Sequence, residues 1–110
     1  HVAGVEPAVP EGFGVGVDVH DAEAYKKYVA ANAEAFREFG ARFLVRAGQF
    51  ETVEGGSRSR NVVIEFPSYE AALACYRSPA YQKAMGFRQN ASESDLVIIE
   101  GYDGPQPGDD

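Results

Sequence analysis

The chain has 110 residues, 45% apolar and 25% charged, the size and composition of one globular domain rather than of a disordered or fibrous protein. Its 17 acidic residues outweigh 10 basic ones, giving a net charge of −7, and this excludes nucleic acid and anionic membrane as expected partners because affinity for phosphate is carried by Lys and Arg. A single cysteine, Cys75, excludes an intrachain disulfide and a multi-thiolate metal site, and the absence of any apolar run near the ~20 residues of a membrane span or of a signal pattern makes the cytosol the expected location.

Residues 1–11, with Pro7 and Pro10, are expected to be extended or disordered, the domain to occupy residues 12–103, and the Pro/Gly-rich residues 104–110 to form a flexible tail. From Gly12 to Val19 the residues alternate, with Phe13, Val15, Val17 and Val19 on one side and Gly12, Gly14, Gly16 and Asp18 on the other, the period of a half-buried strand. This is β1 as predicted. The glycines do not make a dinucleotide fingerprint, because Val17 occupies the third glycine position and the motif belongs after a strand. In a strand, glycine marks where another group comes close to the backbone.

Asp21 is placed to cap a helix reaching about Phe39, with Tyr25, Tyr28, Val29, Phe36 and Phe39 as its apolar stripe and Gly40 as its terminator. Asn32 lies within the stripe, so its amide must be hydrogen-bonded or face a wet cavity. ARFLVRAGQFETVEG (41–55) reads as a second strand, β2, and the turn residues of EGGS lead to NVVIEF (61–66), a third strand, β3, pairing with it as a hairpin. Ser68 can cap a second helix bearing Tyr69, Ala72, Leu73 and Tyr76; Ser78 and Pro79 break it and start another segment through Arg88. SDLVIIEGY (94–102) is the last strand, β4, apolar on both sides.

This order is that of the ferredoxin-like βαββαβ motif, an α+β fold with a four-stranded sheet in the order 4-1-3-2 and its helices on one face. β1 and β3 are expected to be parallel at its centre. The Phe13, Val62, Ile64 and Phe66 side supplies the core, while Asp18, His20, Val63 and Glu65 face away. Because β4 is apolar on both sides, the open face needs a second cover, and another copy of the sheet is the expected one.

RFLVRAG, RNVVIEFPSYEAALACYRSPAYQ and SDLVIIEGYDG resemble the domain of unknown function family 1330, a member of the dimeric α+β-barrel superfamily, over residues 12–104. The resemblance implies face-to-face homodimers and no established activity, with cofactor-independent monooxygenases and small-molecule isomerases among its relatives by fold. It implies no cofactor. Family members often carry a large aromatic early in the first strand where this chain has Phe13-Gly14, which implies a wider pocket here.

With parallel central strands, Asp18 and Glu65 share one mouth of the open face, joined by Arg42 and Arg46 if the parity of the second strand matches, and by His20 and Asp95. Asp18 and Glu65 are then the candidate catalytic carboxylates for proton transfer, and Arg46, Asn32, His20 and Arg88 the candidate ligand-binding residues. The plainer reading has a Glu65–Arg46 salt bridge fixing register, Asp18 holding a loop, His20 solvated, Asn32 satisfied, and Arg88 paired with Asp95. Arg58 and Arg60 read as a solvated hairpin tip, Cys75 as an inert buried thiol, and no histidine spacing suits a metal. Two functions are compatible with this: a dimer that binds or transforms a small organic molecule in a cavity on the sheet face, or a non-catalytic interaction module whose polar cluster only locks the interface.

Overall fold

The computed structural model describes residues 11–109; the expectation for residues 1–10 lies outside them. The elements in chain order are β1 (Glu11–Val19), α1 (Ala22–Glu38), β2 (Arg42–Arg46), β3 (Arg60–Phe66), α2 (Tyr69–Arg77), α3 (Pro79–Arg88) and β4 (Ser92–Ile99). They form a ferredoxin-like α+β fold whose sheet runs β2-β3-β1-β4, the expected 4-1-3-2 order read from the other edge.

Local chemistry starts and stops the helices where the sequence places the signals. Asp21 accepts from the Ala24 N–H at 3.1 Å to cap α1, and Gly40 follows its end at φ 73°, a left-handed position that suits glycine. Ser68 caps α2 by accepting from the Ala71 N–H at 3.0 Å. Ser78 closes α2 and opens α3: its hydroxyl donates to the Cys75 carbonyl at 2.7 Å and accepts from the Tyr81 N–H at 3.2 Å, with Pro79 in the first turn where a missing N–H costs nothing.

All three strand pairings are antiparallel, which corrects the expected parallel pairing of β1 with β3. The reason is topological. The crossover through α1 makes β2 parallel to β1, and β3, hairpinned back along β2, must then oppose β1. Gly12 pairs with Glu65, whereas Val17 pairs with Arg60.

Side-chain parity within β1 and β3 is as expected. Phe13, Val17, Val62, Ile64 and Phe66 are buried under the helices, where Phe13 meets the rings of Phe36, Phe66, Tyr76 and Tyr81 at centroid distances of 5.0–6.3 Å. Leu96 and Ile98 of β4 pack on the same core. On the other face Val63, Val97 and Ile99 are 41%, 57% and 64% exposed, and a Cβ built on Gly14 between them meets nothing within 4 Å.

β2 is shorter and less regular than the sequence suggests. Its register to β3 shifts between Phe43 and Val45, so that two residues of β2 span one step of β3, a bulge that turns the later residues of the strand to the other face. Arg42 pairs with Glu65 on the open face, but Arg46 pairs with Val62 and so lies on the helix face. The strand then ends at Ala47, whose φ of 56° is outside the strand region. Residues 47–59 form a loop in which Phe50 and Val53 are 51% and 81% exposed.

Candidate functional site

The antiparallel register separates the two carboxylates expected to share one mouth. Glu65 lies opposite Gly12, six residues along β1 from Asp18, so the two stand on one face but ~20 Å apart at ~3.4 Å per residue. Each has its own partner. Glu65 forms an ion pair with Arg42 Nε at 3.3 Å, the register contact expected of Arg46, because Arg42 is the residue directly opposite Glu65.

Asp18 belongs to a cluster centred on Arg58, a residue the sequence places in a solvated tip. Arg58 Nη1 donates to Asp18 Oδ2 at 3.0 Å and to Glu93 Oε2 at 3.4 Å, and its Nε donates to Asp95 Oδ2 at 3.0 Å. The Ser59 N–H donates to Asp18 Oδ1 at 2.9 Å. That backbone bond, with the Arg58 guanidinium second, holds the Asp18 carboxyl below its ordinary value. Gly16 is the signal that could have revealed the cluster: a Cβ there would stand 3.2 Å from Arg58 Cγ, so glycine admits the arginine stem across the strand. An open depression of about 480 Å³ adjoins, lined by Gly16, Asp18, Arg58, Asn61 and Asp95 among others. Its charged groups are already spent on one another.

The helix side holds a different site. Between α1 and the β2–β3 strands lies a cavity of about 20 Å³, lined by Tyr25, Tyr28, Val29, Asn32 and Phe36 from α1, by Phe43 and Arg46 from β2, by Arg60, Val62 and Ile64 from β3, and by Val15. That is room for about one water. Volume favours the open depression, but the state of the polar groups favours this cavity, since here a donor of a charged group is buried and unmet. Asn32 is only 7% exposed and lines the cavity. Arg60 Nε is buried without an acceptor, while its guanidinium lies 5.6 Å from the Tyr25 ring centroid. Arg46 lies over the Phe43 ring at 4.3 Å, an exposed, movable cover for the cavity. Burial pushes the Tyr25 hydroxyl up from its ordinary value, so it stays a neutral donor at physiological pH.

Behind the cavity, Tyr28 and Tyr81 share a hydrogen bond of 2.8 Å between their hydroxyls, and Arg88 Nη2 donates to Tyr81 at 3.3 Å. Arg88 also donates to Ser94 Oγ at 3.4 Å and lies 5.3 Å from the Tyr28 ring centroid; its expected partner, Asp95, is bound by Arg58 instead. Of the residues singled out from sequence, the structure therefore gathers Asn32 and Arg46 at the cavity and sets Arg88 behind it. Asp18 and Glu65 are on the opposite side of the sheet. His20 is exposed just past β1, its N–H donating to the Ala91 carbonyl at 2.7 Å. Arg60 was missed, although its parity with Val62 and Ile64 was available as a signal for the core face. Cys75 is fully buried, and burial pushes its thiol up to about 12, as expected of an unreactive one.

No helix among the described residues is long and apolar enough to cross a membrane. Comparison with solved structures finds this fold in a protein of unknown function from Rhodopseudomonas palustris, 24% identical, with a TM-score of 0.69 over 89% of this chain and 86% of that one. It is also found in a conserved protein of unknown function from Bacteroides thetaiotaomicron, 16% identical, with a TM-score of 0.56 over 86% of this chain and 99% of that one. SnoaB, a cofactor-independent oxygenase from Streptomyces nogalater, is 15% identical with a TM-score of 0.57 over 86% of this chain and 96% of that one. At such identities the likeness is one of fold. No curated protein matches the chain in sequence. Residues 15–102, from within β1 to just past β4, match the family described as a domain of unknown function (DUF1330), and the chain belongs to that family.

Proposed function

We propose that the chain is a homodimeric protein that binds a small organic molecule in the cavity between α1 and the β2–β3 strands. The observation that carries this reading is a buried donor without a partner at one apolar cavity, the Arg60 Nε–H, with the largely buried Asn32 lining the same cavity. Burying such a donor unmet costs roughly 1–3 kcal/mol, a cost that a ligand supplying an acceptor would offset. Ligand sites are commonly apolar cavities with a few converging polar groups of this kind. At about 20 Å³ the closed cavity holds only a water, so a ligand requires it to open toward the usual few hundred Å³ by Arg46 swinging from Phe43, as its exposed place on an edge strand allows. No carboxylate or histidine lines the cavity, so binding is better supported than acid–base catalysis by Asp18 or Glu65.

The dimer rests on the open sheet face, where Val63, Val97 and Ile99 surround the uncovered Gly14. A second copy of that face would cover them. The alternative, a non-catalytic dimer module, is favoured by the closed Arg58 cluster, whose groups are all matched within one chain and could only fix the shape of the interface. A cytosolic location fits the single buried thiol.

Native mass spectrometry of protein purified from its own host reads both parts together. The expected spectrum is a dimer carrying a small molecule whose mass is lost on Asn32→Leu substitution. A monomer at micromolar concentration overturns the dimer, and a ligand-free protein that no compound of a metabolite screen stabilises thermally leaves the interaction module as the better reading.

A further inference from the structure

Resting on the binding site just proposed, we infer that its ligand is a small organic carboxylate, with the carboxylate at Arg46 and Arg60 beside the Asn32 amide and an apolar body against Phe36, Phe43 and Val29. The argument is one of charge. Two guanidiniums line the cavity, and none of its lining residues is acidic. Neither Arg46 nor Arg60 is in an ion pair among the described residues, although the chain carries 17 carboxylate side chains against 10 basic ones. Arg58 and Arg42, by contrast, are matched, the first by Asp18, Glu93 and Asp95 and the second by Glu65, while the buried Arg88 donates only to the hydroxyls of Tyr81 and Ser94.

A ligand without an acceptor would leave the Arg60 guanidinium, whose Nε is buried, uncompensated beside an apolar cavity, which is unfavourable in a medium of low dielectric, while Arg46 keeps its charge in water at the mouth. A carboxylate neutralises one and shares the other, and its two oxygens match the fork of donors that arginine presents. Arg60 is pre-oriented for this, because its partly buried stem and its stack on Tyr25 hold the guanidinium at the cavity wall. The same two side chains stacked on Tyr25 and Phe43 provide flat surfaces that suit a planar, aromatic-sized body.

The test pairs each acid with its own amide: benzoate with benzamide, phenylacetate with phenylacetamide, 1-naphthoate with 1-naphthamide. Each is titrated into the dimer while backbone amide resonances are followed. The expected result is that at least one acid shifts Asn32, Arg46 and Arg60 and binds about tenfold or more tightly than its amide, and that Arg46→Met and Arg60→Gln each bring the ratio of acid to amide affinity down toward one. Arg46 is exposed, so its variant remains informative should Arg60→Gln fold poorly. Acid and amide binding equally at those resonances overturns the charge assignment and leaves the binding site standing. Acids that shift only residues elsewhere, or no acid or amide shifting the cavity residues at millimolar concentration, overturns both.

Discussion

Arg58 and Arg60 are two residues apart and meet opposite surroundings. Arg58 reaches over Gly16 on the open face and is held by three carboxylates, whereas Arg60 pairs with Val17 on the helix face and meets rings and an amide but no acid. The first arrangement is complete within one chain and exposed to water. The second is partly buried and incomplete. The open-face cluster is complete as it stands, whereas on the helix side Arg60 Nε and Arg88 Nε are buried without acceptors beside a Tyr28–Tyr81 bond that is satisfied.

Several substitutions would break or sharpen that division. The largest loss of stability is expected on the helix side from Tyr81→Ala, because Tyr81 is fully buried and truncating such an aromatic costs ~3–5 kcal/mol. Tyr81→Phe should cost less, ~1–3 kcal/mol, by leaving Tyr28 and Arg88 without their shared oxygen; urea unfolding measures both. If the phenylalanine variant is as stable as the wild type, the hydroxyl relay is not a structural element.

On the open face the larger effect is on association. Val97→Glu sets a charge in the middle of the proposed dimer contact, and desolvation with like-charge repulsion across a two-fold should weaken it by several kcal/mol. Sedimentation equilibrium should then show monomer, with the cavity still formed. A dimer of unchanged affinity would move the interface elsewhere.

Arg58→Met is expected to lower stability only slightly, since exposed ion pairs contribute little, but to change its pH dependence. The Asp18 carboxyl is held below its ordinary value of 3.8, first by the Ser59 N–H and then by Arg58. A lowered folded-state value means that this contribution is complete above the ordinary value and is lost as pH falls through the folded one. The variant should therefore lose less stability on acidification below about pH 4 than the wild type does, as thermal melts across that range would reveal. Equal acid sensitivity would assign the effect to the Ser59 bond alone.

The smallest effect is predicted for Glu65→Gln. Glu65 pairs with an exposed Arg42 on the face away from the cavity, so binding of any cavity ligand should remain within about twofold, less than about 0.5 kcal/mol. A larger change would return Glu65 to a functional role.

Alternation and end signals in the sequence determined which stretches are strands and helices, which side of β1 and β3 enters the core, and where α2 yields to α3, because each of these is set by a few neighbouring residues: Phe13 and Val17 by a period of two, Ser78 and Pro79 by capping. The family could likewise be read from the long motif around Phe66. Only the tertiary structure decided which of the singled-out polar residues come together, for two physical reasons. Strand direction is fixed by the path of the whole chain, and it parted Asp18 from Glu65. A single extra residue in β2, which no local pattern announces, turned Arg46 from the open face to the helix face, where it meets Arg60 and Asn32 across a cavity.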